Sequence, residues 1–234
     1  GDNCIYELQK GNITGNSAGK GGGVYLEKGL FKLGSSSNIL EGNISNNRAT
    51  YGGGVYIGSG NVSSISDDTL TEPAEGFIMY GGTITSNTTN YDGGGVYLYG
   101  GTFLMEDGNI AGNSSASDGG GVCIVNNGNF TMNDGNIIGN GKNASNAAVT
   151  QNGGGVYLDG GTLTVSAGTI SSNASTTNGG GLYIMNGTVM MGSGMLQGNV
   201  CGQYGGGVYV YNSSASEEKT VQFNGGTLSG NSAK

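Results

Sequence analysis

One phrase, repeated along the chain, constrains the fold more than any other feature of this sequence. "GGGVYLDGGTLTVSAGTISSN", Gly153 to Asn173, sets three glycines, an apolar-Tyr-apolar triplet, a second alternating apolar pair and a closing Ile-x-x-Asn, and the order then begins again. Glycine triplets start at Gly21, Gly52, Gly93, Gly119, Gly153, Gly179 and Gly205, at intervals of 31, 41, 26, 34, 26 and 26 residues. The closing mark recurs as Ile13/Asn16, Ile44/Asn47, Ile84/Asn87, Ile110/Asn113, Ile137/Asn140, Ile170/Asn173, Leu196/Asn199 and Leu228/Asn231. The recurring 26-residue interval is the unit, and the longer intervals hold insertions near 34–40, 58–76, 141–152 and 212–220.

Inside a unit the period is two, the spacing of strands rather than helices. Val156 and Leu158 point one way and Tyr157 the other; Phe103 and Met105 share a face, matched by Phe77/Met79, Phe130/Met132, Leu163/Val165, Val189/Met191 and Val221/Phe223. A third short strand carries the Ile or Leu before each Asn. One unit cannot bury its apolar face alone, but parallel strands about 4.8 Å apart turn like residues into continuous columns. The fold expected is therefore all-β: a single-domain right-handed parallel β-helix over residues 1–234, with about 7–8 coils and three short strands per coil. The repeated Asn is expected to turn inward and bond backbone groups of neighbouring coils, an amide ladder.

The pairing of "GGGVY" with "ITSN", "IAGN" or "ISSN" is similar to the GGA(I/L) and F-x-x-N repeats of chlamydial polymorphic outer-membrane proteins, with Ile or Leu at all eight sites where that family has Phe. It more closely resembles the right-handed β-helix segments of large adhesin-like surface proteins of gut Firmicutes and methanogenic archaea. That resemblance implies surface exposure, adhesion and membership of a longer polypeptide. Residues 4–16 and 221–231 match only the later part of a unit and carry no capping helix, so a longer parent chain or end-to-end self-association is expected.

Composition narrows the chemistry. Eight basic against sixteen acidic residues leave a net charge of -8 and no basic patch, which disfavours nucleic acid. No apolar run approaches 18 residues, so no membrane span is expected in this segment. Cys4, Cys123 and Cys201 lack metal-ligand spacing and read as small apolar side chains. "GNSAGKG" at Gly15–Gly21 is one residue short of a phosphate loop and has no Ser/Thr after Lys20. With no histidine there is no Ser-His or Cys-His nucleophile and no imidazole ligand.

A polysaccharide lyase or glycoside hydrolase is the enzymatic alternative, and it needs convergent carboxylates, often with Ca²⁺. Asp107/Asp134 and Asp92/Asp118 hold equivalent places in adjacent units, about one strand spacing apart, but Ala167, Ser193, Asn152 and Asn178 follow where a third carboxylate would be needed. They read as turn residues, with Ca²⁺ the one metal they suggest, and no cofactor is expected. The outward column Tyr25, Tyr56, Tyr97, Tyr157, Tyr183 and Tyr209, interrupted by Cys123 and extended by Tyr99 and Tyr211, is the ligand-binding candidate. The acidic stretch 58–76, with Asp67, Asp68, Glu72 and Glu75, is the second candidate. The expected function is a non-catalytic, extracellular, cell-surface adhesin segment that meets glycans or partner proteins; a purely structural stalk is the remaining alternative.

Overall fold

The computed structural model describes residues 4–36, 41–59, 75–211 and 219–234, and these are all-β, with no helix. Every pairing between the strands is parallel, and each strand finds its partner one unit further along the chain. The strands fall into sheets of twelve, eight, four and three.

The eight-stranded sheet is the most regular. It pairs Gly11–Thr14, Gly42–Ser45, Thr83–Thr85, Asn109–Ala111, Asn136–Ile138, Thr169–Ser171, Met195–Gln197 and Thr227–Ser229 in that order. Its register sets the aliphatic residue of each unit on that of the next, Ile13 on Ile44, Ile44 on Ile84, and on to Leu196 on Leu228. From Ile44 to Leu196 these side chains are fully buried. They form one core with Phe77, Phe103, Phe130, Met79, Met105 and Met132, all at 0% exposure. Neighbouring phenylalanine rings stack with centroids 4.8–5.0 Å apart. Each buried ring contributes roughly 1.5–3 kcal/mol of transfer free energy, and stacking adds about 0.5–1.5 kcal/mol per pair.

The expected division into three short strands per unit is modified in two ways. The VYL-type and FxM-type stretches belong to one sheet, and in three units they run together as Val122–Met132, Val156–Val165 and Leu182–Met191. The register shifts between Val125 and Gly128, where Asn126 and Asn127 take left-handed φ values of 53° and 62°. A further strand of two to four residues follows most ladder asparagines: Ser17–Lys20, Arg48–Tyr51, Thr88–Thr89 and Ser114–Ser115 form one small sheet. Ala174–Ser175, Val200–Cys201 and Ser232–Ala233 form another.

The glycine triplets lie where a Cβ would meet backbone, of the same turn or of the next unit. Gly153 has φ 62°, and a Cβ there would stand 2.6 Å from the Val156 carbonyl oxygen. A Cβ on Gly154, whose φ any residue could adopt, would lie 2.3 Å from the carbonyl oxygen of Ala174. The first glycine answers to local backbone conformation and the second to its neighbour across the stack.

The asparagine column is internal and continuous. Asn87 donates from its backbone N–H and its Nδ2 to Asn113 Oδ1, at 2.9 and 3.0 Å. Asn113 Nδ2 reaches back to the Ile84 carbonyl at 2.9 Å and forward to Asn140 Oδ1 at 3.1 Å. The same bonds link Asn16 to Asn47, Asn47 to Asn87, Asn140 to Asn173, Asn173 to Asn199 and Asn199 to Asn231.

Of the expected insertions, 141–152 is described in full. Residues 37–40, 60–74 and 212–218 of the other three, with Asp67, Asp68 and Glu72, lie outside the described residues.

Candidate functional site

The tyrosines pair in register, Tyr25 with Tyr56, Tyr56 with Tyr97, Tyr157 with Tyr183 and Tyr183 with Tyr209, while Cys123 separates Tyr97 from Tyr157. All six point away from the central core, as strand alternation requires. Outward direction did not leave them all open to solvent. Tyr56 is 4% exposed and Tyr183 8%, whereas Tyr25 is 49% exposed. The cause is ring-on-ring stacking: Tyr56 sits between Tyr25 and Tyr97 at 5.3 Å on each side, and Tyr183 between Tyr157 and Tyr209 at 5.1 Å. The Lys20 ammonium caps the Tyr56 ring 4.9 Å from its centroid.

Tyrosines outside the expected column enlarge both stacks. Tyr51 lies 5.3 Å from Tyr97 and 5.4 Å from Tyr91, and Tyr97 lies 6.5 Å from Tyr99. At the other stack Tyr204 meets Tyr209 at 6.3 Å. Their signal in the sequence is position, since Tyr51 and Tyr204 immediately precede a glycine triplet and Tyr91 stands two residues before one. The candidate face is thus two aromatic clusters, one around Tyr25, Tyr51, Tyr56, Tyr91, Tyr97 and Tyr99, the other around Tyr157, Tyr183, Tyr204 and Tyr209. The buried Cys123 lies between them. Tyr91, Tyr99, Tyr204 and Tyr211 join Tyr25 among the exposed large apolar side chains.

The rings themselves stay protonated. A hydrogen bond from the Tyr25 hydroxyl to Glu27 pushes the Tyr25 pKa up to about 12, and burial first, with neighbouring Tyr209, pushes Tyr183 up to about 12. Burial likewise raises Tyr97 and Tyr157, and the Tyr157 hydroxyl donates to Met185 Sδ at 3.2 Å. Burial, then the charges of Asp92, Asp118 and Asp159, raises the Cys123 thiol well above its usual range, so at neutral pH it is a thiol and not a nucleophilic thiolate. Cys201 is buried as well, and Cys4 is exposed.

The four aspartates are engaged by backbone. Asp107 Oδ1 accepts the Gly108 N–H at 2.6 Å and Asp134 Oδ1 the Gly135 N–H at 2.7 Å, each closing its own turn. Asp92 Oδ1 accepts the Asp118 N–H at 3.0 Å, and Asp118 Oδ1 accepts the N–H and Nδ2 of Asn152 at 3.2 and 3.0 Å. Asn178 extends this second polar column to the Tyr204 N–H at 3.2 Å. Among the described residues no group of three His, Cys, Asp or Glu side chains comes together to hold a metal ion.

Desolvation raises the Asp118 pKa above 3.8, helped by the Asp92 and Asp159 charges and opposed by the Asn152 donors. As pH climbs from 3.8 toward the raised folded value, the unfolded chain releases its proton first; stability falls across that window and the loss persists at pH 7. Asp118→Asn keeps an oxygen for the Asn152 donors and removes the charge. The variant is expected to be more stable than wild type at pH 7, by a margin that vanishes below about pH 4. Urea melts at the two pH values check this, and a variant no more stable at pH 7 contradicts it.

Comparisons with protein-family models, with curated proteins and with solved structures return no match. Among the described residues no helix is long and apolar enough to cross a membrane.

Proposed function

We propose that the chain is a right-handed parallel β-helix of about 7–8 coils that serves as a non-catalytic, extracellular segment of an adhesin-like surface protein and presents an aromatic face to glycans or partner proteins. The unit-to-unit parallel pairing supports the helix, and the near-universal right-handedness of parallel crossovers supports its hand. The observation that carries the functional reading is the larger tyrosine cluster, an aromatic surface spanning three successive units of an acidic chain, with Lys20 and Glu27 at its edge. Its interior rings spend their faces on one another; Tyr25, Tyr91 and Tyr99 offer theirs outward. The aspartates, held by backbone donors, support the non-catalytic part of the reading.

A glycan array with turnover measured in parallel tests the proposal. Retention without cleavage is expected, at about −4 to −8 kcal/mol per site and strengthened by multivalency. Changing Tyr25, Tyr91 and Tyr99 together to Ser is expected to abolish it while the protein stays folded, with a melt lowered by the loss of one stacked neighbour for each ring. Changing Tyr183 instead would remove a buried ring that stacks on two neighbours and would cost more stability. Cleavage of a retained polysaccharide that disappears in Asp107→Asn/Asp134→Asn would replace this reading with the lyase or hydrolase alternative.

A further inference from the structure

The insertion at 141–152 is a self-braced structure. Gly141 N–H donates to the Asn113 carbonyl at 2.8 Å, the chain leaves the stack, and Lys142 and Ala148 bridge antiparallel across the neck. Asn143 Oδ1 accepts the Ser145 and Ala147 N–H groups at 3.0 and 3.1 Å, and Asn146 takes a left-handed φ of 61° at the tip. Val149 returns its N–H to the Gly141 carbonyl at 2.8 Å. Buried Thr150 then rejoins the stack by sharing a 3.1 Å hydroxyl contact with Ser115. This excursion stands where a strand of the small sheet would continue. It therefore divides that layer into the separate sheets of four and three strands.

A trough runs along each flank of the excursion. One, of about 590 Å³, is lined by Asn46, Ser86, Thr88 and Ser114. The other, of about 520 Å³, is lined by Ala174, Thr176, Val200 and Lys234. Lys142 and Asn146 line both. Each volume is in the range of small-molecule sites. Neither lining contains a carboxylate or aromatic side chain, and the only charged side chains are Lys142 in both and Lys234 in the second, on a chain of net charge -8. The side chains of Asn46, Lys142 and Asn146 hydrogen-bond to no other described residue, so their donors are open to a ligand.

Amides, hydroxyls and small apolar side chains around Lys142, the one ammonium common to both troughs, with Lys234 in the second alone, suit a ligand with many hydroxyl groups, exposed C–H faces and an anionic group at the shared position. The overall negative charge disfavours a polyanion. We propose that the two troughs form one binding site for an oligosaccharide bearing a single carboxylate, straddling the 142–148 excursion with its carboxylate against Lys142. The inference needs only the excursion and its flanks, and it stands if the tyrosine clusters bind nothing.

Calorimetric titration of the protein with sialyllactose and with lactose, in buffered saline, tests it. Sialyllactose is expected to bind with Kd on the order of 1 mM, and lactose about tenfold more weakly for want of the charge-assisted contact. Lys142→Met, which keeps the side chain's length, should bring sialyllactose to the lactose level and leave lactose unchanged. Asn46→Gly should weaken both sugars without harming the fold, since φ at Asn46 is 55° and glycine takes that value freely. The Tyr25/Tyr91/Tyr99→Ser variant should titrate as wild type. Equal affinity for the two sugars, no effect of Lys142→Met or of Asn46→Gly, or loss with the tyrosine variant overturns the proposal. Displacement of sialyllactose by an equal concentration of sodium phosphate does so as well.

Discussion

Replacing Asn113 with Ala is expected to lower the unfolding free energy by about 1–3 kcal/mol, the cost of one buried polar group left unpaired. Asn113 is fully buried. Its Oδ1 is the acceptor for both the backbone N–H and the Nδ2 of Asn87, and its own Nδ2 is the donor to the Ile84 carbonyl. Ala strands the Asn87 N–H between two units; the Ile84 carbonyl loses its second donor but stays in the parallel ladder with the next unit, and Asn140 Oδ1 keeps the Asn113 backbone N–H. Asn113→Asp separates lost bonding from lost volume. It preserves size and acceptor but cannot donate to Ile84, and it opposes a carboxylate to Asn140 Oδ1; its defect at pH 7 should shrink on acidification as the buried carboxyl protonates. Asn16→Ala, at an exposed position whose Oδ1 accepts no bond, should cost less than about 1 kcal/mol. Chemical melts of the three variants check this, and an Asn113→Ala variant matching wild type would remove the ladder from the account of stability.

That column was legible in the sequence because one side-chain type recurs three residues after a buried aliphatic one, where a turn alone would accept Ser, Asp or Gly as readily. The period-two apolar pattern showed the same way, and Phe77, Phe103 and Phe130 lie where it places them. The strands after the ladder asparagines were not legible. "SAGK", "RATY", "TT", "SS" and "VC" share neither alternation nor composition, and hydrogen bonds to the neighbouring unit, rather than propensity, make them strands. Asn126-Asn127-Gly128 reads as a turn and takes left-handed backbone angles, yet pairing resumes on its far side because Gly161 and Thr162 of the next unit hold it. Side-chain direction could be read for Tyr56 and Tyr183, but exposure could not. Whether an outward ring is open depends on how closely its neighbours stack, and alternation is silent on that. For the same reason the 141–152 interval announced only extra length; the troughs arise from what it displaces.

The largest effect expected is from a deletion that respects the repeat set against one that does not. Removing Gly153–Asn178 takes out one 26-residue unit and joins Asn152 to Gly179, which restores the Asn-Gly-Gly-Gly sequence at the splice. The buried apolar columns and the asparagine ladder then close on like residues. Val122–Met132 meets Leu182–Met191 as it now meets Val156–Val165, Ile137 meets Leu196, and Asn140 meets Asn199. Removing only Gly153–Val165 deletes a glycine corner with Val156, Leu158, Leu163 and Val165, each about 1% exposed, and leaves Thr169–Ser171 without the strand that precedes it. Four buried side chains at roughly 1.5–3 kcal/mol each amount to about 6–12 kcal/mol, comparable to the whole stability of an ordinary domain, about 5–15 kcal/mol. The 26-residue deletion should therefore give a cooperative melt with a denaturant m-value lower by about a tenth, in proportion to the surface removed. The 13-residue deletion should give no folded protein. A neighbour-by-neighbour stack of equivalent units predicts this asymmetry; a fold held by contacts between distant parts of the chain would lose both variants alike, and equal tolerance or equal loss would overturn the proposed β-helix.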